Sequence, residues 1–208
     1  MHLSDKSLTF VHEKAYPSSL QNHMEIIAIY PPYLYSIKYD GREKNEFDRL
    51  LEQWNDVEFI CSFLESNKQY LESPIWQYLR NIEEAVKQIL DETEALEDHF
   101  DILADNTSYG ETPDFDSHFK YLDGKKYRDV HQWFPMKSYG LNQPSFLRLY
   151  AIKMEAPNTY LITGGGIKLA DSIQNSPDLQ DHILQDIDRV RQYLKDNGIY
   201  DSDDMNEN

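Results

Sequence analysis

The sequence predicts an α+β fold, a small antiparallel sheet packed with an N-terminal helical hairpin and a C-terminal helix. Three observations carry that expectation. Apolar residues recur three or four apart from Phe47 to Leu90, β-branched and aromatic runs alternate with turn residues from Phe119 to Thr163, and helical spacing returns from Leu179 to Leu194. The 208 residues suffice for a substantial core and favour one domain, read as 24–200, with a flexible arm at 1–23 and a disordered tail at 201–208.

Residues 24–39 hold β-branched and aromatic runs either side of Pro31-Pro32, which predicts two short strands meeting at a turn and ending at Asp40-Gly41. A helical hairpin is expected over 43–105. Its first helix carries Phe47, Leu50, Trp54, Ile60 and Leu64, and its second follows Ser73-Pro74, with Ser73 as cap and Pro74 in the first helical position. The stripe of Trp54, Ile60, Leu64, Leu79, Ile82 and Val86 is expected to cover the sheet. The acidic run from Asp91 to Asp105 either extends the second helix or makes a short third one, and 106–118 read as a surface loop.

The antiparallel sheet is expected over 119–170. Phe119 to Leu122 and Tyr127 to Phe134 flank an Asp123-Gly124 turn, Pro135 to Pro144 form a break, and Phe146–Lys153 with Tyr160–Thr163 make a hairpin. Gly164-Gly165-Gly166 lacks the spacing of a phosphate loop or a dinucleotide fingerprint and reads as a bend or bulge. The last helix spans 177–197, with Gly198 past its end.

A lone cysteine, Cys61, forms no intramolecular disulfide, and no cysteine–histidine cluster has metal-ligand spacing. No signal peptide or membrane-length apolar run is apparent, so a reducing, cytoplasmic setting without membrane contact is expected. The formal charge of −17 argues against DNA as a partner. Residues 43–105 hold 17 acids against 5 bases and 171–208 hold 10 against 3, but 106–170 hold 6 against 8. Only that strand-rich segment is basic.

No Gly-x-Ser-x-Gly elbow or His-Glu-x-x-His helix occurs, and no metal or cofactor is expected. What remains is a set of cations among rings: Lys120, Lys125, Lys126, Arg128, His131, Lys137, Arg148, Lys153 and Lys168 with Tyr121, Tyr127, Trp133 and Tyr150. Cations beside stacking rings suit single-stranded RNA, and Lys120, Lys125, Lys126 and Tyr127 are the candidates for holding it. The same set also fits an ordinary sheet face.

The strand Leu34–Tyr39, the helix start Asn45–Leu50, the Arg128 strand, Phe146-Leu147-Arg148-Leu149-Tyr150 and Leu161-Ile162-Thr163-Gly164-Gly165-Gly166-Ile167-Lys168 resemble, in that order, the RelE/HigB superfamily of phage-derived toxin-like proteins. The resemblance implies the toxin of a toxin–antitoxin system, an endoribonuclease that cuts messenger RNA at the ribosome without metal and has an antitoxin protein as partner. It assigns catalysis to Arg148, clamping a phosphate, and Lys168, stabilising developing charge, with Arg128 or His131 assisting. The chain departs from the family where Lys168 stands alone before Leu169, and in its acidity. A relative that keeps the fold without catalysis, its acidic helices binding a basic partner, is therefore the alternative.

Overall fold

A computed structural model describes residues 23–108, 112–122, 133–138, 144–154 and 158–207. The Asp123-Gly124 turn, the strand expected from Tyr127 and the first 22 residues lie outside them. The fold is α+β. Six strands form one sheet: β1 (Met24–Tyr30), β2 (Leu34–Tyr39), β3 (Phe119–Tyr121), β4 (Phe134–Ser138), β5 (Leu147–Met154) and β6 (Thr159–Ile167), in the order β1-β2-β6-β5-β4-β3. Every neighbouring pair is antiparallel except β2 and β6, which run parallel through Leu34–Ser36 and Tyr160–Ile162.

Helices cover both faces. One face carries α1 (Glu46–Asn55), α2 (Val57–Ser66), α3 (Ile82–Ser108) and α4 (Phe115–His118), which enclose Leu34, Leu147, Leu149, Ala151 and Ile162. The other carries α5 (Ile183–Asp196) and α6 (Ser202–Glu207), which pack on Tyr35, Ile37, Ile152 and Leu161. The alternation of Leu34 with Tyr35, and of Leu149 with Tyr150, divides each strand between two cores.

The first half of the expected hairpin is two helices, because Asp56 interrupts it. Asp56 takes an extended conformation, and its carboxylate accepts the backbone N–H groups of Glu58 and Phe59, capping α2. The second half starts later than Ser73-Pro74 predicts. Residues 71–81 are turns, and α3 opens where Asn81 accepts the Glu84 N–H while Glu84 reaches back to the Arg80 N–H. Helix α3 then runs unbroken through the acidic segment. The stripe faces inward as expected, with Trp54, Ile60, Leu64 and Val86 buried and Leu79 and Ile82 partly so.

Two further differences concern proline and the C-terminus. Phe134–Ser138 is a strand although Pro135 lies in it. Pro135 accepts from the Leu122 N–H but returns none, and the Lys137 ammonium donates to Leu122 O at 3.0 Å instead. The tail read as disordered forms α6 through Ser202–Glu207, held by Asp201 and Asp204 side chains on backbone N–H groups and by buried Met205. The last helix proper begins at Ile183, six residues later than expected, after turns over 177–182.

Candidate functional site

The glycine triplet lies inside β6 and sets the geometry of both polar regions. A bulge at Thr163 shifts the β5–β6 register, so that Tyr150 pairs with Gly164 and Ala151 with Ile162. A Cβ on Gly165 would lie 2.5 Å from Arg148 O and 2.8 Å from Leu50 Cδ1, and one on Gly166 would meet Asp178 and Leu179. These glycines let α1 and the segment before α5 approach the strand from opposite faces.

Arg148, on one of the two central strands, pairs with Gly166, and Lys168 follows the end of β6. Only 7% of Arg148 is exposed, and its guanidinium donates to Ser145 O at 3.1 Å and Leu147 O at 2.6 Å. The Lys168 ammonium donates to Asp171 O at 2.8 Å. Burial pushes its pKa below the usual lysine value, and the charges of Arg148 and then Lys137 push in the same direction. The register sets Lys137 opposite Tyr150 and Arg148 opposite Gly166, two residues before Lys168, so these cations share the β4–β5–β6 end of the sheet.

The described members of the rest of the set are not brought to it. Lys120, on edge strand β3, donates to Asp116 O at 3.2 Å. Lys153 is buried and bound to the Asp116 carboxylate, which also accepts from the Tyr160 hydroxyl and from Asn158. Burial raises the Asp116 pKa, but the bonds from Lys153 and Tyr160 outweigh it and leave the carboxyl low. Arg128, His131, Lys125, Lys126 and Tyr127 lie outside the described residues.

A second polar region is absent from the sequence reading. Past Ser36 and Ile162 the parallel strands separate, and a crevice of about 450 Å³ opens between Tyr39 and Gly165. Side chains stand where a strand ladder would continue: the Tyr39 hydroxyl donates to Thr163 O at 2.7 Å, and Asp178 accepts the Ile167 N–H at 2.7 Å. From α1 come Glu46, Arg49 and Gln53, with Glu46 and Gln53 engaging the Arg49 guanidinium. From the other face come His182, Asp186 and Arg189, the last lying 5.0 Å over the Tyr39 ring. The Asp186 pKa is raised by burial first and by Glu46 among its neighbours.

No local signal announces this crevice, because it depends on β2 pairing with a strand more than 120 residues away. A sequence clue exists only in hindsight: charged residues at the starts of two amphipathic helices that follow neighbouring strands. Comparison with known families, curated proteins and solved structures gives no match.

Proposed function

We propose that the chain is a toxin-like endoribonuclease of a toxin–antitoxin system, acting on messenger RNA without metal. The observation that supports the reading is the ladder register, which sets Arg148 opposite Gly166 and Lys168 next to Phe146, so that both cations come from the same end of β5 and β6. The 2′-hydroxyl gives its proton to water as its oxygen attacks the adjacent phosphorus, the 2′-O–P bond forms and the P–O5′ bond breaks, leaving a 2′,3′-cyclic phosphate and a 5′-hydroxyl. Arg148 holds the non-bridging oxygens, whose charge grows in the transition state. Lys168 stabilises the same charge, and its lowered pKa suits it to hand a proton to the departing 5′-oxygen. Lys137 adds positive charge without a proton-transfer role.

The experiment is ribosome-dependent cleavage of messenger RNA together with growth on expression. Wild type should cut RNA and arrest growth. Lys168→Ala should lower cleavage by about 10²–10³-fold, the range for loss of one electrostatic stabiliser, with little change in thermal midpoint. Arg148→Lys keeps the charge and loses the fork, so it should also relieve arrest. Wild type without cleavage or arrest would sink the assignment and favour a non-catalytic module that binds a basic partner. The 17 acids against 5 bases over 43–105 support that second reading.

A further inference from the structure

The crevice at the ends of β2 and β6 is built differently from the Arg148–Lys168 group and shares none of its side chains. These two strands are the parallel neighbours of the sheet, and the chain leaves them in opposite directions: β2 leads into α1 on one face, β6 toward α5 on the other. A crevice outside the carboxyl ends of parallel strands, where the following helices diverge to opposite faces, is where open sheets place small ligands.

The lining specifies the chemistry. Arg49 is already engaged by Glu46 and Gln53, but the other two arginines are poised differently. Arg189 is stacked on Tyr39, and its buried Nε has no hydrogen-bond partner among the described residues. Arg42 reaches the crevice from the turn after β2, and among the described residues no carboxylate bridges it or Arg189. Two guanidinium groups from different elements can meet the oxygens of a phosphate monoester in a fork. Asp186, one turn before Arg189 on α5, accepts hydrogen bonds only, which suits hydroxyl groups on the ligand. The volume of about 450 Å³ accommodates such a molecule.

We infer that this crevice binds a small phosphorylated polyol, with the phosphate between Arg42 and Arg189 and a hydroxyl on Asp186. The source of that chemistry is a sugar phosphate or a nucleotide. Titration calorimetry of the full chain with inorganic phosphate, ribose 5-phosphate and adenosine 5′-monophosphate separates them. Ribose 5-phosphate should bind saturably and at least about tenfold tighter than inorganic phosphate, because only it offers hydroxyls to Asp186. A further gain with adenosine 5′-monophosphate identifies a nucleotide site, and equal or weaker binding identifies a sugar phosphate site. Arg42→Met with Arg189→Met should lose about 10²-fold or more in affinity. Asp186→Asn should weaken ribose 5-phosphate but leave inorganic phosphate unaffected. Circular dichroism confirms that each variant is folded, and Arg42→Met alone, at an exposed position, tests the phosphate contact if the double variant unfolds. No saturable binding of any probe, equal affinity for inorganic phosphate and ribose 5-phosphate, or binding insensitive to both arginine substitutions would overturn the inference. Because Lys168 takes no part, loss of RNA cleavage in Lys168→Ala leaves this result standing on its own.

Discussion

His118 shows how one buried residue can govern a pH response. Only 4% of it is exposed, both ring nitrogens lack a hydrogen-bond partner among the described residues, and it packs edge-on against Phe100 at 4.8 Å and Phe119 at 5.1 Å. Burial, followed by the neighbouring His99 and Lys120, pushes its pKa down to about 3. The folded state therefore refuses a proton that the unfolded chain accepts near the ordinary value of 6.5. Above that value the residue adds no pH dependence; below it, stability falls with pH by up to about 1.4 kcal/mol per unit until the folded pKa is reached. His99, also lowered chiefly by burial, acts in the same direction. Replacing His118 with Phe should flatten the decline in thermal midpoint between about pH 6.5 and 5, and parallel declines in wild type and variant would refute the argument. The sequence reads 106–118 as a surface loop, yet His118 ends α4 and is buried, because nothing local distinguishes a ring that will be enclosed by aromatic neighbours from one in solvent.

Elements were legible where their cause is local and obscure where it is tertiary. The β1–β2 and β5–β6 pairs show as β-branched runs with turn residues between them, and α5 shows as a stripe. The connector at 71–81 illustrates the opposite case. Its Ser-Pro sequence resembles a helix start, but Trp76 is drawn inward instead, stacking on Phe146 at 3.8 Å and donating its indole N–H to Leu169 O at 2.9 Å. Those distant contacts outweigh the local preference for helix. Trp76→Ala should cost about 3–5 kcal/mol by denaturant unfolding, and Leu79→Ala, at a half-buried site, should fall below the ~2–5 kcal/mol of a fully enclosed leucine. Equal losses would mean that the connector is not the anchor. Strand β6 gives the companion test. At Gly165 an added Cβ meets the backbone oxygen of Arg148, which cannot rotate away, so Gly165→Ala should reach the upper end of the ~1–3 kcal/mol typical of overpacking. At Gly198, by contrast, nothing lies within 4 Å and only the positive φ of 67° is strained, so Ala there should cost about 1 kcal/mol. A harmless Gly165→Ala would show that β5 and β6 part at this register without cost.

At the scale of the whole molecule, the layers and the charge follow one plan. The segment 43–105, which holds α1 to α3, carries 17 acids against 5 bases, and 171–208, which holds α5 and α6, carries 10 against 3. The segment between them supplies four strands of the sheet and is slightly basic, with 8 bases against 6 acids. Charge segregation was visible in the sequence because counting needs no contacts, whereas the crevice was hidden because β2 and β6 meet only in the folded chain. Ion pairs within the helical layer, such as Lys44–Glu52 at 2.9 Å and Lys87–Asp91 at 3.3 Å, are exposed and of the kind worth ~0–1 kcal/mol. They do not offset repulsion among the 17 acids of that segment. At about 0.01 M salt the screening length of roughly 30 Å spans both helical layers, and at about 0.15 M it shrinks to roughly 8 Å, so repulsion survives mainly between adjacent side chains. Added sodium chloride should therefore raise the thermal midpoint at pH 7 across this range, and sodium and potassium chloride should act alike because the effect is screening rather than site binding. A midpoint that falls with salt would mean that attraction between the acidic helices and the basic strands dominates, and the charged layers would then be a source of stability rather than a cost.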